Sequence, residues 1–421
     1  MKSKTQKLIK SKSKFKKKRK TKKYISKYSF ERNVYKIFII ICFLFIIIIH
    51  SLKIINKACL FPYQPNLGKK NKNSEEELNN EKKNKTIQLK KEREKNLTNI
   101  NNNRTELKTG INSSKELEEK LYEEFNEDIL NKYKEQQNEF CINENKYYNL
   151  EYEKKIKEVN VEFLAKSFKM YVYNSQDIVS NSISFSKKWE GEETVKLLKA
   201  LNFYSYQKNI AKENIYVLDI GSNVGWYTFY LAKYGYKILS FEPSNLNMYI
   251  LSKNYCLNRE LNVTLIKKGL YTEEKVCDFY ISRGNIGDGW VFCDKNKTIP
   301  QHLIKSGETI LTRLVNYVSF LSRDNLALIK IDAEGSEEKA LSSGIELITK
   351  YKVPFIFLEF TPSALKSHGT DSRKFLKLFE ENGYKFSKNN FFNSNYLSIN
   401  DIIIKYKVVV NLYIVHASVL N

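Results

Sequence analysis

Val217-Leu218-Asp219-Ile220-Gly221-Ser222-Asn223-Val224-Gly225 is the stretch on which the fold turns. An apolar run ends in an acid, a Gly-rich turn follows, and a helical pattern opens at Trp226. Gly221 lets the chain turn tightly and lets a ligand approach the backbone closely. Gly225 falls where the helix begins, and free backbone N–H groups at such a point favour an anionic group, such as a carboxylate. The six-residue dinucleotide fingerprint is excluded, because no Gly stands at its third position.

Three further elements follow in order. Phe241-Glu242-Pro243 ends the next strand-like run, with Glu242 21 residues after Gly221. An acid at about that distance binds ribose hydroxyls in nucleotide-binding α/β folds, and a carboxylate suits a vicinal diol because it accepts two hydrogen bonds. Leu328-Ile329-Lys330-Ile331-Asp332-Ala333-Glu334-Gly335-Ser336-Glu337 is an apolar strand pattern with carboxylates at its C-terminal end. Ligands of open α/β sheets bind outside those ends. Residues two apart on a strand share a face, which puts Lys330 with Asp332, and Asp332 with Glu334 until Gly335 breaks the strand. Phe357-Leu358-Glu359-Phe360-Thr361-Pro362 places Glu359 at the end of another. The plainer alternative is that Glu334 or Glu337 caps the helix that follows.

The runs Ile215–Ile220, Lys237–Glu242, Val263–Ile266, Val276–Ile281, Leu326–Asp332 and Phe355–Phe360 read as strands. Helical patterns at Trp226–Tyr234, Asn245–Leu257, Glu337–Lys350 and Ser372–Asn382 lie between most of them. This alternation predicts an α/β fold, Rossmann-like, with a mostly parallel sheet and helices on both faces. The tail, residues 384–419, predicts a hairpin closing the sheet edge.

The D-x-G-x-N-x-G turn is similar to motif I of class I methyltransferases, and residues 177–384 resemble the FkbM methyltransferase family. The matching segments are those around Asp219, Glu242, Asp332 and Glu359; the stretch from Asp177 through Lys188-Trp189-Glu190 resembles the lead-in of eukaryotic members. The resemblance implies a class I methyltransferase that uses S-adenosylmethionine, most often for O-methylation of sugars and other hydroxylated metabolites. It implies cofactor contacts from Asp219, Gly221, Asn223, Gly225 and Glu242. For catalysis Asp332 is the first candidate, as base or as the group that orients the acceptor, with Glu334, Glu359 and Lys330 around it. No metal is expected; the alternative is a divalent cation on Asp332 and Glu334, since carboxylates suit Mg²⁺. One departure stands out: Val315 occupies a position where the family usually has Asp. His368 falls in a loop after the Glu359 strand and reads as a solvated histidine.

The net charge of +24 is concentrated at one end, since residues 1–33 hold fifteen Lys or Arg and one Glu. An unbroken apolar run, Ile37 to Ile49, comes next and reaches spanning length when extended to residues 34–52. The basic leader is long and no convincing cleavage site follows, so residues 34–53 are expected to be an uncleaved signal anchor; a cleaved signal peptide is the alternative. The positive-inside rule then puts 1–33 in the cytosol and the rest in the lumen, as a type II membrane protein of the ER or Golgi. Residues 54–160, polar and rich in Lys, Asn and Glu, are expected to be a stem, with one or two exposed helices over 115–157, and residues 161–421 the catalytic domain. N-x-S/T sequons stand at Asn84, Asn96, Asn103, Asn112, Asn262 and Asn296. The six Cys show no metal-binding spacing, and a Cys277–Cys293 bridge is compatible with an oxidising lumen. The acceptor is expected to be a glycan or small hydroxylated molecule, with no nucleic acid partner. Two rivals remain: a nucleic-acid methyltransferase guided by the basic tail, and a catalytically inactive cofactor-fold scaffold.

Overall fold

The computed structural model describes residues 114–294, 296–318 and 325–420. The basic tail, the expected anchor and the sequons at Asn84, Asn96, Asn103 and Asn112 lie outside them. Among the described residues no helix is long and apolar enough to cross a membrane.

A long helix, α1 (Ser114–Ile142), leads into an antiparallel hairpin, β1 (Ile156–Phe163) and β2 (Lys166–Tyr173). Helices α2 (Ile178–Ser186) and α3 (Gly191–Lys208) follow. The α/β alternation then begins: β3 (Tyr216–Ile220), α4 (Trp226–Ala232), β4 (Lys237–Phe241), α5 (Asn245–Leu257) and β5 (Val263–Ile266). Four strands make a separate sheet: β6 (Gly269–Leu270), β7 (Lys275–Ser282), β8 (Asn285–Phe292) and β9 (Leu303–Thr312). The main sheet resumes with β10 (Leu326–Ile331), α6 (Glu337–Ser342), β11 (Phe355–Phe360), α7 (Pro362–Ser367), α8 (Ser372–Glu380), β12 (Tyr384–Ser387), α9 (Ile399–Lys405) and β13 (Val410–His416).

The main sheet runs β12-β13-β11-β10-β3-β4-β5. The pairs joining β11, β10, β3, β4 and β5 are parallel, and β13 is antiparallel to β11 and β12. Every residue of β5 and β10 is buried, as expected of parallel strands covered on both faces. One apolar core lies under α3, α4 and α5, the other under the helices after β10. Successive strands go one way from β3 to β5 and the other way from β10 to β11. The order therefore reverses between β3 and β10, the place where open α/β sheets form their ligand crevice.

The sequence reading and the structure part in several places. Val276–Ile281 is a strand, but in the antiparallel second sheet. The expected helix 337–350 is broken by Ser343 and Gly344 into two short helices, and Ser343 Oγ accepts from Leu314 N at 2.8 Å. Residues 128–160, assigned above to a stem, are folded onto the α/β unit. Leu130 is buried, and the buried Gln137 donates to Val263 O (2.8 Å) and accepts from Leu265 N (2.9 Å). A helix whose surface is mostly charged hides such a contact in its polar composition. Two disulfides are present, Cys141–Cys256 and Cys277–Cys293. The first ties α1 to α5 across 115 residues; by chain entropy a loop of that size stabilises by up to about 5 kcal/mol.

Candidate active site

The turn after β3 is shaped by what lies against it. Gly221 has φ +73°, and a Cβ there would fall 1.7 Å from the carbonyl oxygen of Asp332. Only glycine fits, because the colliding atom is backbone. Asp332 N in turn donates to Ile220 O at 3.1 Å. The ends of β3 and β10 are thus locked together, and an open cleft lies beside them. Gly221, Asn223, Glu242, Asp332, Glu334 and Ser336 line it, with Gly287, Gly289 and Val291 of β8 opposite.

Glu242 is 4% exposed. One of its oxygens accepts from Asn223 N (2.8 Å) and the other from Ser244 N (2.9 Å). Burial pushes its carboxyl up to about 7 despite these bonds. Asn247 also hydrogen-bonds the carboxylate, which lines the cleft, so the group holds the glycine turn and presents acceptors suited to ribose hydroxyls. A tight glycine turn at the cleft wall and a carboxylate at the end of the next strand fit an adenosyl cofactor.

Asp219 does not line the cleft. It is 1% exposed behind the turn, where Oδ2 accepts from the Thr228 hydroxyl at 2.6 Å and Oδ1 lies 3.5 Å from Lys330 Nζ. Nor does Gly225, whose expected place facing an anion is corrected. A Cβ there would meet Leu251 and Phe229 within 2.8 Å, so close helix packing explains the glycine.

Lys330 is a buried cation behind the site, with a side chain 7% exposed, while Lys268 lines the cleft itself. Its Nζ donates to Gly221 O at 2.9 Å and lies 3.9 Å from Asp332 Oδ2. Burial works against its charge, but Asp219, Asp332, Glu190 and Glu359 outweigh it and hold the ammonium above the ordinary lysine value. Lys330 therefore fixes the cofactor turn from below and joins it to the acids above.

The structure brings Asp332, Glu334 and Glu359 together, with one carboxylate oxygen of each within 4.8 Å of the others. Burial first, and the neighbouring Asp332 next, push Glu334 and Glu359 well above the usual carboxylate range. Glu334 sits at φ +49°, between the β10 end and Gly335 at φ +96°. Capping of α6 by Glu334 or Glu337 is not observed. Glu337 instead accepts from Ala333 N (2.9 Å) and Gly335 N (3.1 Å), which braces the loop on both sides of Glu334.

Some site residues escaped the sequence reading. Glu190, quoted only within the lead-in, is held by Tyr227 OH (2.7 Å) and Asn411 Nδ2 (3.0 Å), and Asn411 is the cross-strand partner of Glu359. Asp288 presses electrostatically on Glu334. Neither lies in a motif; only the pairing of distant strands reveals them. His368 is corrected from a solvated residue to a half-buried one. Its Nδ1 lies 3.1 Å from Ala364 O, its Nε2 3.2 Å from Val291 O, and burial lowers its pKa. Val315 opens a helical turn, its N–H donating to Ser343 O at 3.3 Å, and does not line the cleft.

An α/β sheet that reverses between β3 and β10, with a glycine turn and a buried Glu at successive strand ends, has the architecture of an open α/β fold that binds its ligand at the strand ends. Residues 219–386 match the family model of the methyltransferase FkbM domain. No curated protein matches the sequence. Among solved structures, the bifunctional kinase-methyltransferase WbdD is 12% identical at a TM-score of 0.31, over 54% of this chain and 39% of its own. The match thus spans about two-fifths of WbdD. Magnesium protoporphyrin IX methyltransferase (ChlM) from Synechocystis PCC 6803, solved with bound SAH, is 12% identical over 57% of this chain and 88% of that one, TM-score 0.28. The T. Thermophilus 16S rRNA N2 G1207 methyltransferase (RsmC), in complex with AdoMet and guanosine, is 12% identical over 62% and 50%, TM-score 0.28.

Proposed function

We propose that this chain is an S-adenosylmethionine-dependent O-methyltransferase acting on a hydroxyl of a glycan or other hydroxylated acceptor in the secretory pathway. The observation that carries the reading is one cleft in which Gly221 and Glu242 meet Asp332 and Glu334. When bound, S-adenosylmethionine supplies an electrophilic methyl group and takes back the electron pair of the broken carbon–sulfur bond. Glu242 receives the ribose hydroxyls beside the tight turn that Gly221 permits. Asp332 accepts the hydrogen bond of the acceptor hydroxyl, which aims an oxygen lone pair at the methyl carbon. As the new bond forms, the hydroxyl proton moves to an Asp332 carboxylate oxygen. The Asp332 side chain lines the cleft and is 37% exposed, so it can reach an acceptor there. Both Glu359 and Glu334 favour their protonated forms; Glu359 shares a hydrogen bond with Asp332, and Glu334 shares one with Asp288. Asp332, Glu334 and Glu359 are also the residues that would hold a divalent cation.

The lumenal, membrane-anchored setting is part of the same proposal. Supporting it are the two disulfides, the exposed sequon residues Asn262 and Asn296, and the basic leader before residues 34–52. The test uses the full chain. Asp332→Asn keeps S-adenosylmethionine affinity within about twofold and lowers methyl transfer by roughly 10²–10⁴, the range for losing a positioned acid or base. Undiminished turnover in that variant, or no S-adenosylmethionine binding by the unaltered protein, defeats the reading. Release by alkaline carbonate, or digestion of the catalytic domain by protease in intact microsomes, defeats the topology alone.

A further inference from the structure

One wall of the cofactor cleft is nearly bare backbone, Gly287 and Gly289 of β8 with Val291 beyond them. A Cβ on Gly287 would fall 2.3 Å from Asp177 Oδ2 and 3.0 Å from Asn223 Oδ1, so no side chain fits there. A strand this bare is held from outside. Gln176 O accepts from Ile286 N at 2.8 Å, and Ile178 N donates to Asn285 Oδ1 at 3.0 Å.

The remaining tie is Asn247, in the first turn of α5 and 1% exposed. Its Nδ2 donates to Gly287 O at 3.1 Å, and its Oδ1 accepts from the hydroxyl of Tyr173, the fully buried last residue of β2. The same side chain hydrogen-bonds the Glu242 carboxylate. An amide nitrogen carries two hydrogens, so one serves Gly287 and the other Glu242, while the oxygen is committed to Tyr173. Turned the other way, the amide would set its oxygen against a carbonyl and a carboxylate; the Tyr173 hydroxyl secures the opposite sense. Asn223 N and Ser244 N fix one Glu242 oxygen each, and Asn247 adds a third donor that is itself anchored to the opposite wall.

We infer that Asn247 is a positioning residue for the cofactor, joining Tyr173 and the Gly287 wall to Glu242 so that the carboxylate meets the ribose hydroxyls in one fixed orientation. Tyr173 stands before residues 219–386, so part of this support comes from outside the segment that matches the family model. The inference rests on the methyltransferase reading of the cleft. The test titrates the full chain by calorimetry with S-adenosylhomocysteine and with its 2′,3′-dideoxy analogue. The unaltered protein prefers the ribose form by roughly 10- to 100-fold, as hydrogen bonds to a charged acceptor allow, and Glu242→Gln removes most of that preference. Asn247→Ala weakens S-adenosylhomocysteine about tenfold and leaves the analogue within about twofold. Tyr173→Phe keeps the buried ring, so it decides the matter even where Asn247→Ala fails to fold; it weakens S-adenosylhomocysteine about three- to fivefold with the same selectivity. Added to Glu242→Gln, Tyr173→Phe costs no further affinity, which coupled groups require and a merely structural role does not. Equal weakening of both ligands by Tyr173→Phe, full additivity with Glu242→Gln, or unchanged S-adenosylhomocysteine affinity in the folded variants overturns the inference. An unaltered protein that binds neither ligand refutes the underlying reading. One that binds both equally refutes the ribose role of Glu242 and the inference with it.

Discussion

Replacing Lys330 with Met tests how the cofactor turn is coupled to the acids above it. Met fills similar space without the charge. Three contacts of Nζ disappear: Gly221 O at 2.9 Å, Asp219 Oδ1 at 3.5 Å and Asp332 Oδ2 at 3.9 Å. They are unequal. The Asp332 side chain is 37% exposed, so losing that pair costs about 0–1 kcal/mol. Asp219 is 1% exposed, and its Oδ1 has no hydrogen-bond partner. Orphaning a buried charge of this kind costs roughly 3–5 kcal/mol, and this effect dominates. At roughly 2 °C per kcal/mol for a unit this large, the melting temperature should fall by about 6–10 °C at pH 7.5. The raised Lys330 value means that its contribution is fully present below the ordinary lysine pKa and fades only as pH rises through the higher folded value. The unaltered protein thus keeps this ion pair throughout pH 5–9. Adding Asp219→Asn to Lys330→Met should recover at least half of the loss at pH 7.5, a non-additivity expected only of groups in contact. Thermal melts of the single and double variants at pH 7.5 decide the matter. A deficit below 1 kcal/mol, or one that Asp219→Asn deepens by its full single-mutant cost, would refute the coupling.

Gly221→Ala should lose S-adenosylmethionine binding beyond detection by calorimetry, since its Cβ would force Asp332 and the turn apart; affinity within tenfold of the unaltered protein would count against the cleft. Burial raises Glu337 from 4.5 to about 7, which favours the folded, protonated form below pH 4.5 and loses that advantage as pH rises through 7. The shift amounts to on the order of 3 kcal/mol, and Glu337→Gln, whose amide oxygen still accepts from Ala333 and Gly335, should flatten the decline in stability between pH 5 and 8 in urea titrations. Cys141→Ser/Cys256→Ser should lower the unfolding free energy by about 2–5 kcal/mol; a change under 1 kcal/mol would show that the bridge does not constrain the unfolded chain.

The central strands were legible because buried parallel strands are continuous apolar runs, and Gly221, Glu242 and Asp332 because they close such runs at regular spacing. Their environments were less legible. Asp219 and Gly225 sit in the motif, yet one is paired behind the turn and the other packs a helix; a linear pattern does not separate a ligand contact from its support. Glu359 meets Asp332 only because β10 and β11 are adjacent, which strand order alone decides. Asp288 lies in a hairpin with no motif, and Cys141 finds Cys256 across 115 residues. Such long-range pairings leave no local periodic trace.

The two hydrogen bonds from Gln137 to Val263 and Leu265 have a consequence for the whole chain. Strand β5 ends the main sheet, and a bare sheet edge is a template on which another molecule can add a strand. Here a side-chain amide, one donor and one acceptor, impersonates the peptide group of that missing neighbour. The Cys141–Cys256 bridge ties the helix that carries it to the adjacent α5. Protection against edge-to-edge aggregation is therefore fastened by an oxidation step, and the molecule is most vulnerable to self-association in the interval before that bond has formed.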